Sequence, residues 1–297
     1  MATLIDGKLV AARMRERIRA EVEFLRAQAV TPGLAAILVG ENPASHTYVN
    51  AKSRACLEVG IHSEIHKLPP TAAFTDLLAL IEQLNRRPDI HGILVQSPLP
   101  SAMDEFAAHR ALSPLKDVDC FHPENVGLLT LGAPRFVPCT PAGVIELLRA
   151  YDIPLVGAPA VIVGRSNIVG RPLATLLSQK GADATVTLCH SRTRELGAMC
   201  RSAEILIAAI GQAEMITGEM VANGATVIDV GVNRVPDPAS RTGYRLVGDT
   251  CFSEIEKVAG HITPVPGGVG PMTIAMLLRN TLSAAQSATG RSAQSTS

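Results

Sequence analysis

The sequence has no tryptophan, and aromatic residues make up only 3 % of its 297 positions. It also has no excess of charge of either sign, because Lys plus Arg and Asp plus Glu each number 27. Binding to nucleic acid or to an anionic membrane normally requires a surplus of positive charge, and stacked aromatic rings commonly hold single-stranded bases. We therefore expect neither a nucleic-acid partner nor a membrane partner.

Close CxxC pairs, which are typical of metal sites and redox motifs, are also missing. The chain is far longer than the small secreted domains that depend on disulfides. We expect reduced, packed thiols at the six cysteines, which are Cys56, Cys120, Cys139, Cys189, Cys200 and Cys251. Four histidines lack metal-ligand spacing too, and we expect surface or helix-capping roles for His46, His91, His109 and His122. The sequence thus predicts no metal site.

No apolar run approaches the ~20 residues of a membrane-spanning helix. The first ten residues include Asp6 and Lys8, so they lack the apolar segment of a signal peptide. Hydrophobic residues account for 47 % and charged residues for 18 %, which is a globular composition, and the length is typical of two domains. These features predict a soluble, cytoplasmic, two-domain protein.

Helical and strand patterns alternate along the chain, which is typical of parallel α/β sheets. The predicted helices span residues 7–29, 45–59, 74–85, 168–180 and 272–285. The predicted strands span residues 34–40, 61–68, 92–96, 160–163, 184–189, 205–210 and 227–230. Between the two sets, residues 113–141 lack periodicity and are rich in proline. We interpret this stretch as a connection that also carries functional residues.

A glycine-containing turn links strand 160–163 to the helix that follows it. The turn begins Gly164-Arg165-Ser166 and ends at Gly170. Glycines permit a tight bend, and the start of a helix offers N–H groups and a positive dipole end to phosphate. Ser166 replaces the middle glycine of the common dinucleotide motif, so the turn alone is a weak signal. The surrounding α/β pattern strengthens the prediction of a dinucleotide site.

The end of strand 184–189 discriminates between two dinucleotides. NAD sites commonly carry Asp or Glu there, whereas this strand ends Cys189-His190-Ser191-Arg192. Arg165 adds a second cation, and hydroxyl groups lie beside both arginines. Cations and hydroxyls suit the 2′-phosphate of NADP, which we therefore favour over NAD. The alternative is that these arginines only contact solvent.

Tyr48 and Lys52 lie four residues apart on a predicted helix, so their side chains share one face. A partly buried lysine can serve as an acid or base near neutral pH. The pair by itself is more typical of an amphipathic helix with an extended lysine, and that alternative stays open at this point. Gln96 ends a predicted strand, where parallel sheets usually bind ligands.

Two aspartates, Asp117 and Asp119, flank Val118 in the proline-rich connection. We expect both to be exposed carboxylates available for hydrogen bonds. The alternative for each is the capping of a turn, which aspartates often do.

Seven sequence motifs in order resemble the FolD-type methylenetetrahydrofolate dehydrogenase/cyclohydrolase family, over residues 4–282. They are Tyr48-Val-Asn-Ala-Lys52, Val95-Gln96-Ser97-Pro98-Leu99-Pro100, Lys116-Asp-Val-Asp119, Pro138-Cys-Thr-Pro141, Val163-Gly-Arg-Ser166 with Ile168-Val-Gly-Arg-Pro172, Cys189-His-Ser191 and Pro264-Val-Pro-Gly-Gly-Val-Gly-Pro-Met-Thr273. So many coincident motifs far exceed the false-positive risk of any one.

The resemblance implies two α/β domains. A catalytic folate-binding domain would span residues 1–137 and be completed by 271–286, and a Rossmann-type NADP-binding domain would span 138–270. The small, polar residues 287–297 are predicted to be a disordered tail. Members of the family are typically homodimers that oxidise 5,10-methylenetetrahydrofolate to the methenyl form and hydrolyse that to 10-formyltetrahydrofolate.

The resemblance also implies roles for individual residues. Lys52 would be the general base and proton shuttle, Tyr48 would position the folate and Lys52, and Gln96 would hydrogen-bond Lys52. Substrate contacts would come from these three and from Val95, Ser97, Asp119, Pro266, Gly267, Gly268, Val269 and Gly270. Cofactor contacts would come from Gly164, Arg165, Ser166, Ser191 and Val232.

Two residues depart from the family pattern beside proposed folate contacts: Ser97 stands where Leu is usual, and Cys120 where Gly is usual.

Two other functions are alternatives to this one. A shikimate dehydrogenase-like enzyme would not be expected to carry the Tyr48–Lys52 pair or the Pro266–Pro271 loop. A catalytically silent NADP-binding module would not require intact Lys52.

Overall fold

The computed structural model describes residues 1–240 and 243–290. It divides the chain into two compact units. The three-stranded unit contains residues 13–139 and the described residues from 274 to 290, and the six-stranded unit contains residues 1–12 and 140–273. The first twelve residues therefore belong with the six-stranded unit, whereas the family resemblance implied that they belong to the catalytic domain.

Helices and strands alternate along most of the described chain. The helices are α1 (Gly7–Arg26), α2 (Pro43–Glu58), α3 (Phe74–Arg86), α4 (Glu105–Ala111), α5 (Pro123–Thr130), α6 (Cys139–Ala150), α7 (Gly170–Ser178), α8 (Leu196–Arg201), α9 (Phe252–Ile255) and α10 (Val269–Ala288). The strands are β1 (Thr3–Leu4), β2 (Gly33–Val39), β3 (His62–Leu68), β4 (Gly92–Val95), β5 (Pro159–Val163), β6 (Thr185–Cys189), β7 (Ile205–Ala208), β8 (Thr226–Asp229), β9 (Asn233–Pro236), β10 (Tyr244–Val247) and β11 (His261–Ile262).

The three-stranded unit is built on a parallel sheet in the order β3-β2-β4. All of β2 is buried, which explains its unbroken run of apolar residues, because a central parallel strand is covered on both faces. Helix α3 packs Leu77, Ile81 and Leu84 into the core beside β2 and β4. Their spacing of three and four residues is the helical periodicity that predicted this element.

The six-stranded unit contains a parallel sheet in the order β1-β11-β8-β7-β5-β6. Strands β5, β7 and β8 form its buried centre. At the edge, Thr3 and Leu4 pair with His261 and Ile262. This pairing places the N-terminus in the six-stranded unit. A two-residue strand is too short for its sequence pattern to predict it.

Several elements differ from the sequence predictions. Helix α5 lies within the stretch predicted to be irregular, and α4 was not predicted. Helix α1 ends at Arg26, three residues early, because Ala29 adopts a φ of 62° that no helix accommodates. Helix α10 continues to Ala288, so the first two residues of the predicted tail are helical. Residues 291–297 of that tail lie outside the described residues.

Within the described ranges, no helix is both long and apolar enough to cross a membrane. All six cysteines fall in these ranges, and each is a free thiol. Five are buried, and Cys251 is partly exposed. Burial raises the pKa of the Cys56 thiol to about 12, which makes it unreactive at neutral pH.

Candidate active site

Helix α2 presents Tyr48 and Lys52 from one face. Asn42 caps the helix, since its side-chain oxygen accepts hydrogen bonds from the backbone N–H of Ala44 (2.9 Å) and Ser45 (3.2 Å). Tyr48 is 42 % exposed, whereas Lys52 is only 9 % exposed. The helix thus carries a buried lysine side chain one turn after an exposed tyrosine. This arrangement excludes the alternative of a lysine that merely extends into solvent.

Gln96 meets Lys52 at the carboxyl end of β4. Lys52 Nζ donates a hydrogen bond to Gln96 Oε1 at 3.1 Å. The amide of Gln96 is oriented by its other end, because Nε2 donates to the carbonyl oxygen of Ser97 at 2.7 Å. Its backbone N–H is fixed to Ile37 O at 2.9 Å. The lysine therefore faces an oxygen acceptor held in place from both sides. The neighbouring Val95, a predicted substrate contact, is 2 % exposed.

Asp119 lies beside the buried thiol of Cys139. Burial raises the pKa of this thiol well above its usual value, and the Asp119 carboxylate adds to the rise while Lys52 opposes it. Asn280 of α10 fixes the same region, since its Nδ2 donates to Val118 O at 2.7 Å and also contacts Cys139 Sγ at 3.7 Å. Asp119 itself stays partly exposed. It therefore keeps a carboxylate available to a ligand in the same unit as Lys52.

Asp117 is fully buried, so the expectation that it is exposed is wrong. Its carboxylate accepts hydrogen bonds from the backbone N–H of Phe121 (3.1 Å) and His122 (2.8 Å) and from Asn125 Nδ2 (2.8 Å). Burial raises the pKa of Asp117. The turn-capping alternative describes this residue: it shapes the loop that presents Asp119.

Cys120 adopts a φ of 63°, in the left-handed region that favours glycine. A residue with a side chain pays about 1–2 kcal/mol of conformational free energy to adopt this conformation. This cost is offset by burial of the Cys120 side chain, which is 1 % exposed, and by a hydrogen bond from Sγ to Phe136 O at 3.2 Å. The departure from glycine therefore keeps the backbone path that follows Asp119.

The turn after β5 depends on two glycines that touch. A Cβ on Gly170 would lie 1.9 Å from the carbonyl oxygen of Gly164, and a Cβ on Gly164 would lie 2.0 Å from Ala209 O. Any larger residue at either position would push the turn away from the sheet. The close approach of this backbone to the carboxyl edge of β5 suits a dinucleotide pyrophosphate.

The phosphate donors differ from those that the sequence suggested. The first N–H groups of α7 are already used, because Ser166 Oγ accepts from Val169 (3.2 Å) and Gly170 (3.5 Å) and Ser166 O accepts from Arg171 (3.1 Å). The exposed backbone N–H groups of 165–168 have no acceptor among the described residues. The free donors therefore lie in the loop itself. Their chemistry fits the phosphate oxygens of NADP.

Cations suited to a 2′-phosphate lie on exposed loops at the same sheet edge. Arg165 follows β5, and Ser191 and Arg192 follow β6, and all three are exposed. A hydrogen bond from the backbone N–H of Arg192 to His190 Nδ1 (3.1 Å) shapes the second loop. Neither arginine forms an ion pair with any residue in the described ranges. Both charges are therefore available to an anionic ligand.

Asp249 organises the edge of the sheet beyond β7, and it is not among the site residues predicted from the sequence. Its buried carboxylate accepts hydrogen bonds from the backbone N–H groups of Ile210 (2.6 Å), Gly211 (2.9 Å) and Gln212 (3.0 Å). It also accepts from Asn233 Nδ2 at 2.9 Å. One carboxylate thus joins the loop after β7 to the loop that carries the predicted cofactor contact Val232, which is 44 % exposed.

Asp229 supports Asp249 from the end of β8. It accepts hydrogen bonds from the backbone N–H groups of Gly231, Asp249 and Thr250 at 2.8–2.9 Å, and from Thr250 Oγ1 at 2.6 Å. Burial raises the pKa of Asp229 to about 6. The signal that could have found this network is an aspartate inside the apolar strand 227–230, because a charge there must be satisfied by hydrogen bonds.

The predicted glycine loop, Pro266 to Gly270, lies in the six-stranded unit. A Cβ on Gly268 would lie 2.7 Å from Thr263 Cβ, so close packing requires glycine there, whereas Gly270 has open space around it. Val269 is buried, and Pro266 is exposed. The structure brings Tyr48, Lys52, Gln96, Ser97 and Asp119 together in the three-stranded unit. The glycine loop and the predicted cofactor contacts belong to the six-stranded unit.

Comparison with known proteins gives two family matches that cover most of the chain. Residues 5–119 match the tetrahydrofolate dehydrogenase/cyclohydrolase catalytic domain. Residues 138–289 match the tetrahydrofolate dehydrogenase/cyclohydrolase NAD(P)-binding domain. The match of both domains disfavours the shikimate dehydrogenase-like alternative.

Curated relatives and solved structures agree with these matches. The chain is 55 % identical to the bifunctional protein FolD of Moorella thermoacetica over 96 % of this chain and 99 % of the relative. The FolD crystal structure from Campylobacter jejuni is 47 % identical, covers 97 % of this chain and 99 % of its own, and has a TM-score of 0.91. The Trypanosoma brucei FolD structure, complexed with NADP cofactor and inhibitor, is 41 % identical, covers 97 % and 98 %, and has a TM-score of 0.93. Together with the site geometry, these likenesses establish that the chain belongs to the tetrahydrofolate dehydrogenase/cyclohydrolase family.

Proposed function

We propose that this protein oxidises 5,10-methylenetetrahydrofolate to 5,10-methenyltetrahydrofolate with NADP and then hydrolyses the product to 10-formyltetrahydrofolate. The observation that carries the proposal is the buried Lys52 amine, 3.1 Å from an oriented Gln96 oxygen and on the same helix face as Tyr48. A silent binding module has no need to bury an amine against an amide held at both ends.

The oxidation removes a hydride from the one-carbon bridge of the folate. NADP⁺, when bound, supplies the acceptor for that hydride. The organic product is a cation delocalised over two nitrogens, so the protein contributes mainly position and electrostatics. A permanently charged Lys52 would oppose the cation. The Gln96 oxygen accepts a hydrogen bond from Nζ, so in the uncharged form of the amine the nitrogen lone pair would stay free for a proton. Tyr48, exposed above it, is suited to position the folate ring.

The hydrolysis needs a base and then an acid, and Lys52 can serve as both. The amine accepts a proton as the oxygen of water bonds to the methenyl carbon. It returns that proton to N5 as the carbon–N5 bond breaks, and the second proton of the water is released to solvent. The overall change consumes one water, releases one proton and leaves the formyl group on N10. The partial burial of Lys52 limits competition from bulk water for this proton.

A coupled assay tests the whole proposal. The purified chain is given methylenetetrahydrofolate and NADP⁺, while NADPH and the methenyl chromophore are followed together. We expect NADPH to form and the chromophore to appear and then decay. Absence of NADPH formation would support a silent module instead, and chromophore that accumulates without decay would contradict the hydrolase activity.

Replacing Asp119 with asparagine is expected to weaken folate binding. The carboxylate is proposed to accept hydrogen bonds from the pterin, and a neutral amide removes the charge-assisted part of that interaction, which lowers affinity about tenfold. The KM for methylenetetrahydrofolate is measured beside the KM for NADP⁺. The KM for NADP⁺ is expected to stay unchanged, because the predicted cofactor contacts belong to the six-stranded unit. An equal change in both constants would indicate a general loss of structure rather than a lost folate contact.

Replacing Arg165 with glutamine is expected to reduce the preference for NADP⁺ over NAD⁺. Loss of one cation from a 2′-phosphate site should lower the ratio of the two kcat/KM values about tenfold. Arg149→Gln is the matched control, because Arg149 is an exposed arginine of the same unit that pairs with Glu146. A wild-type preference for NAD⁺, or an unchanged ratio in Arg165→Gln, would refute the assignment of Arg165.

We further propose that the chain is a homodimer in the cytoplasm and binds neither nucleic acid nor membranes. Homodimers are typical of the family that the chain resembles, the unpaired thiols suit a reducing compartment, and the balanced charge disfavours polyanionic partners. Light scattering should give twice the mass of one chain. A mass equal to one chain would contradict the dimer.

A further inference from the structure

The turn that orients Gln96 is itself held by a side chain that the mechanism above does not use. Gln96 Nε2 donates to the carbonyl oxygen of Ser97 at 2.7 Å, so the position of Ser97 decides where the Gln96 amide points. The hydroxyl of Ser97 in turn donates a hydrogen bond to Glu105 Oε1. A continuous path of contacts therefore leads from Glu105 through Ser97 and Gln96 to the Lys52 amine.

Glu105 is well placed to hold this turn. It is the first residue of α4, whose start is capped by a hydrogen bond from the backbone N–H of Ala107 to Asp104 Oδ1 at 3.0 Å. A carboxylate in the first turn of a helix is favoured by the helix dipole. The Glu105 oxygen that faces Ser97 also lies 3.7 Å from His109 Nε2, one turn along the helix.

His109 is buried beside Glu105. It is 7 % exposed, so the expected surface or capping role is wrong, and its ring packs edge-on against Phe121 with centroids 5.1 Å apart. Neither ring nitrogen has a hydrogen-bond partner among the described residues. This packing confines the carboxylate to the side of α4 that faces Ser97.

We propose that Ser97 and Glu105 are positioning residues for hydrolysis, acting on Lys52 through the Gln96 amide. The inference rests on the proposed function of Lys52. Leucine, which is usual at position 97 in the family that this chain resembles, has no hydroxyl to make this contact. If Ser97 loses its hydrogen bond, the turn carbonyl is free to move, Gln96 can rotate, and the lysine amine loses its fixed acceptor. The rate of proton transfer then falls while substrate affinity is kept.

The test is a double-mutant cycle on hydrolysis of methenyltetrahydrofolate. Ser97→Ala and Glu105→Ala are each expected to lower kcat about fivefold, a change of about 1 kcal/mol in transition-state stabilisation. The KM for methenyltetrahydrofolate should stay within about twofold of wild type. The double variant should be no slower than either single variant, because both changes break the same contact.

Conservative variants and a control separate positioning from general structure. Ser97→Thr keeps the hydroxyl and Glu105→Gln keeps an acceptor oxygen, so both should recover most of kcat. Glu82→Gln removes an exposed glutamate of α3 that pairs with Arg86, and it should leave kcat unchanged. Thermal unfolding of every variant identifies any that fails to fold, and in that event the comparison of Ser97→Thr with Ser97→Ala carries the test.

Three results would overturn the proposal. Multiplicative losses in the double variant would show that Ser97 and Glu105 act separately. A raised KM with unchanged kcat would show that Ser97 contacts the substrate instead of positioning Lys52. Equal activity in Ser97→Ala and wild type would show that the Ser97–Glu105 hydrogen bond has no role in hydrolysis. Failure of the proposed function looks different, because the wild-type chain itself would then not hydrolyse methenyltetrahydrofolate.

Discussion

Replacing Lys52 with methionine is expected to abolish the hydrolysis of methenyltetrahydrofolate while the chain still folds and binds NADP⁺. General acid and base catalysis by one side chain contributes about 10²–10⁴-fold, so the loss should be at least in that range. Methionine has nearly the length of lysine and an apolar stem, and Lys52 is only 9 % exposed, so the helix keeps its packing. What disappears is the nitrogen that faces Gln96.

The decay of the methenyl chromophore measures this variant, and an NADP⁺ titration and thermal unfolding establish that it is intact. Lys67→Met is the matched control, because Lys67 is an exposed lysine of β3 in the same unit. It should hydrolyse the substrate at the wild-type rate. Undiminished hydrolysis by Lys52→Met would remove Lys52 from the mechanism, and the Ser97–Glu105 proposal would lose its target.

Replacing Asp249 with asparagine is expected to loosen the cofactor edge of the six-stranded unit. The carboxylate accepts hydrogen bonds from three consecutive backbone N–H groups and from Asn233. An amide offers one oxygen, and its NH₂ group would face N–H donors, so buried donors lose their partner at a cost of about 2–4 kcal/mol. Loops that are no longer joined bind NADP⁺ more weakly, by about tenfold or more if 1.4 kcal/mol of that loss reaches the bound state.

Chemical denaturation measures the stability, and fluorescence titration of NADPH measures the binding. Asp183→Asn is a suitable control, since Asp183 is an exposed aspartate of the same unit with a φ of 53°, which asparagine also tolerates. It should change neither quantity appreciably. If Asp249→Asn binds NADPH as tightly as wild type, the carboxylate stabilises the sheet edge without shaping the cofactor loops.

The amino-acid sequence determined the elements that bury an apolar face and the turn between β5 and α7. Strand β2 was predictable because residues 34–39 form an unbroken apolar run, and α3 because its apolar residues follow the helical repeat. Gly164 and Gly170 were recognisable because they bound a turn between an apolar strand and a helical pattern. The family was recognisable from motifs that keep their order along the chain.

Contacts between distant residues were decided only by the tertiary structure. Lys52 and Gln96 are 44 positions apart, and Asp249 is 37 to 39 positions from the three N–H groups it accepts from. No local pattern specifies such pairs, because they depend on which strand ends meet at one sheet edge. Asp117 shows the same limit, since its sequence suits either an exposed or a capping carboxylate and only its buried donors decide between them.

The sequence by itself therefore determined the α/β architecture, the glycine turn and the family, because periodicity and the order of motifs are properties of the linear chain. The tertiary structure alone decided that residues 1–12 belong to the six-stranded unit, that Asp249 joins two loops, and that Glu105 holds Ser97. Each of these depends on hydrogen bonds between groups that the chain brings together only when it folds, since a buried donor or acceptor must find a partner wherever the fold supplies one.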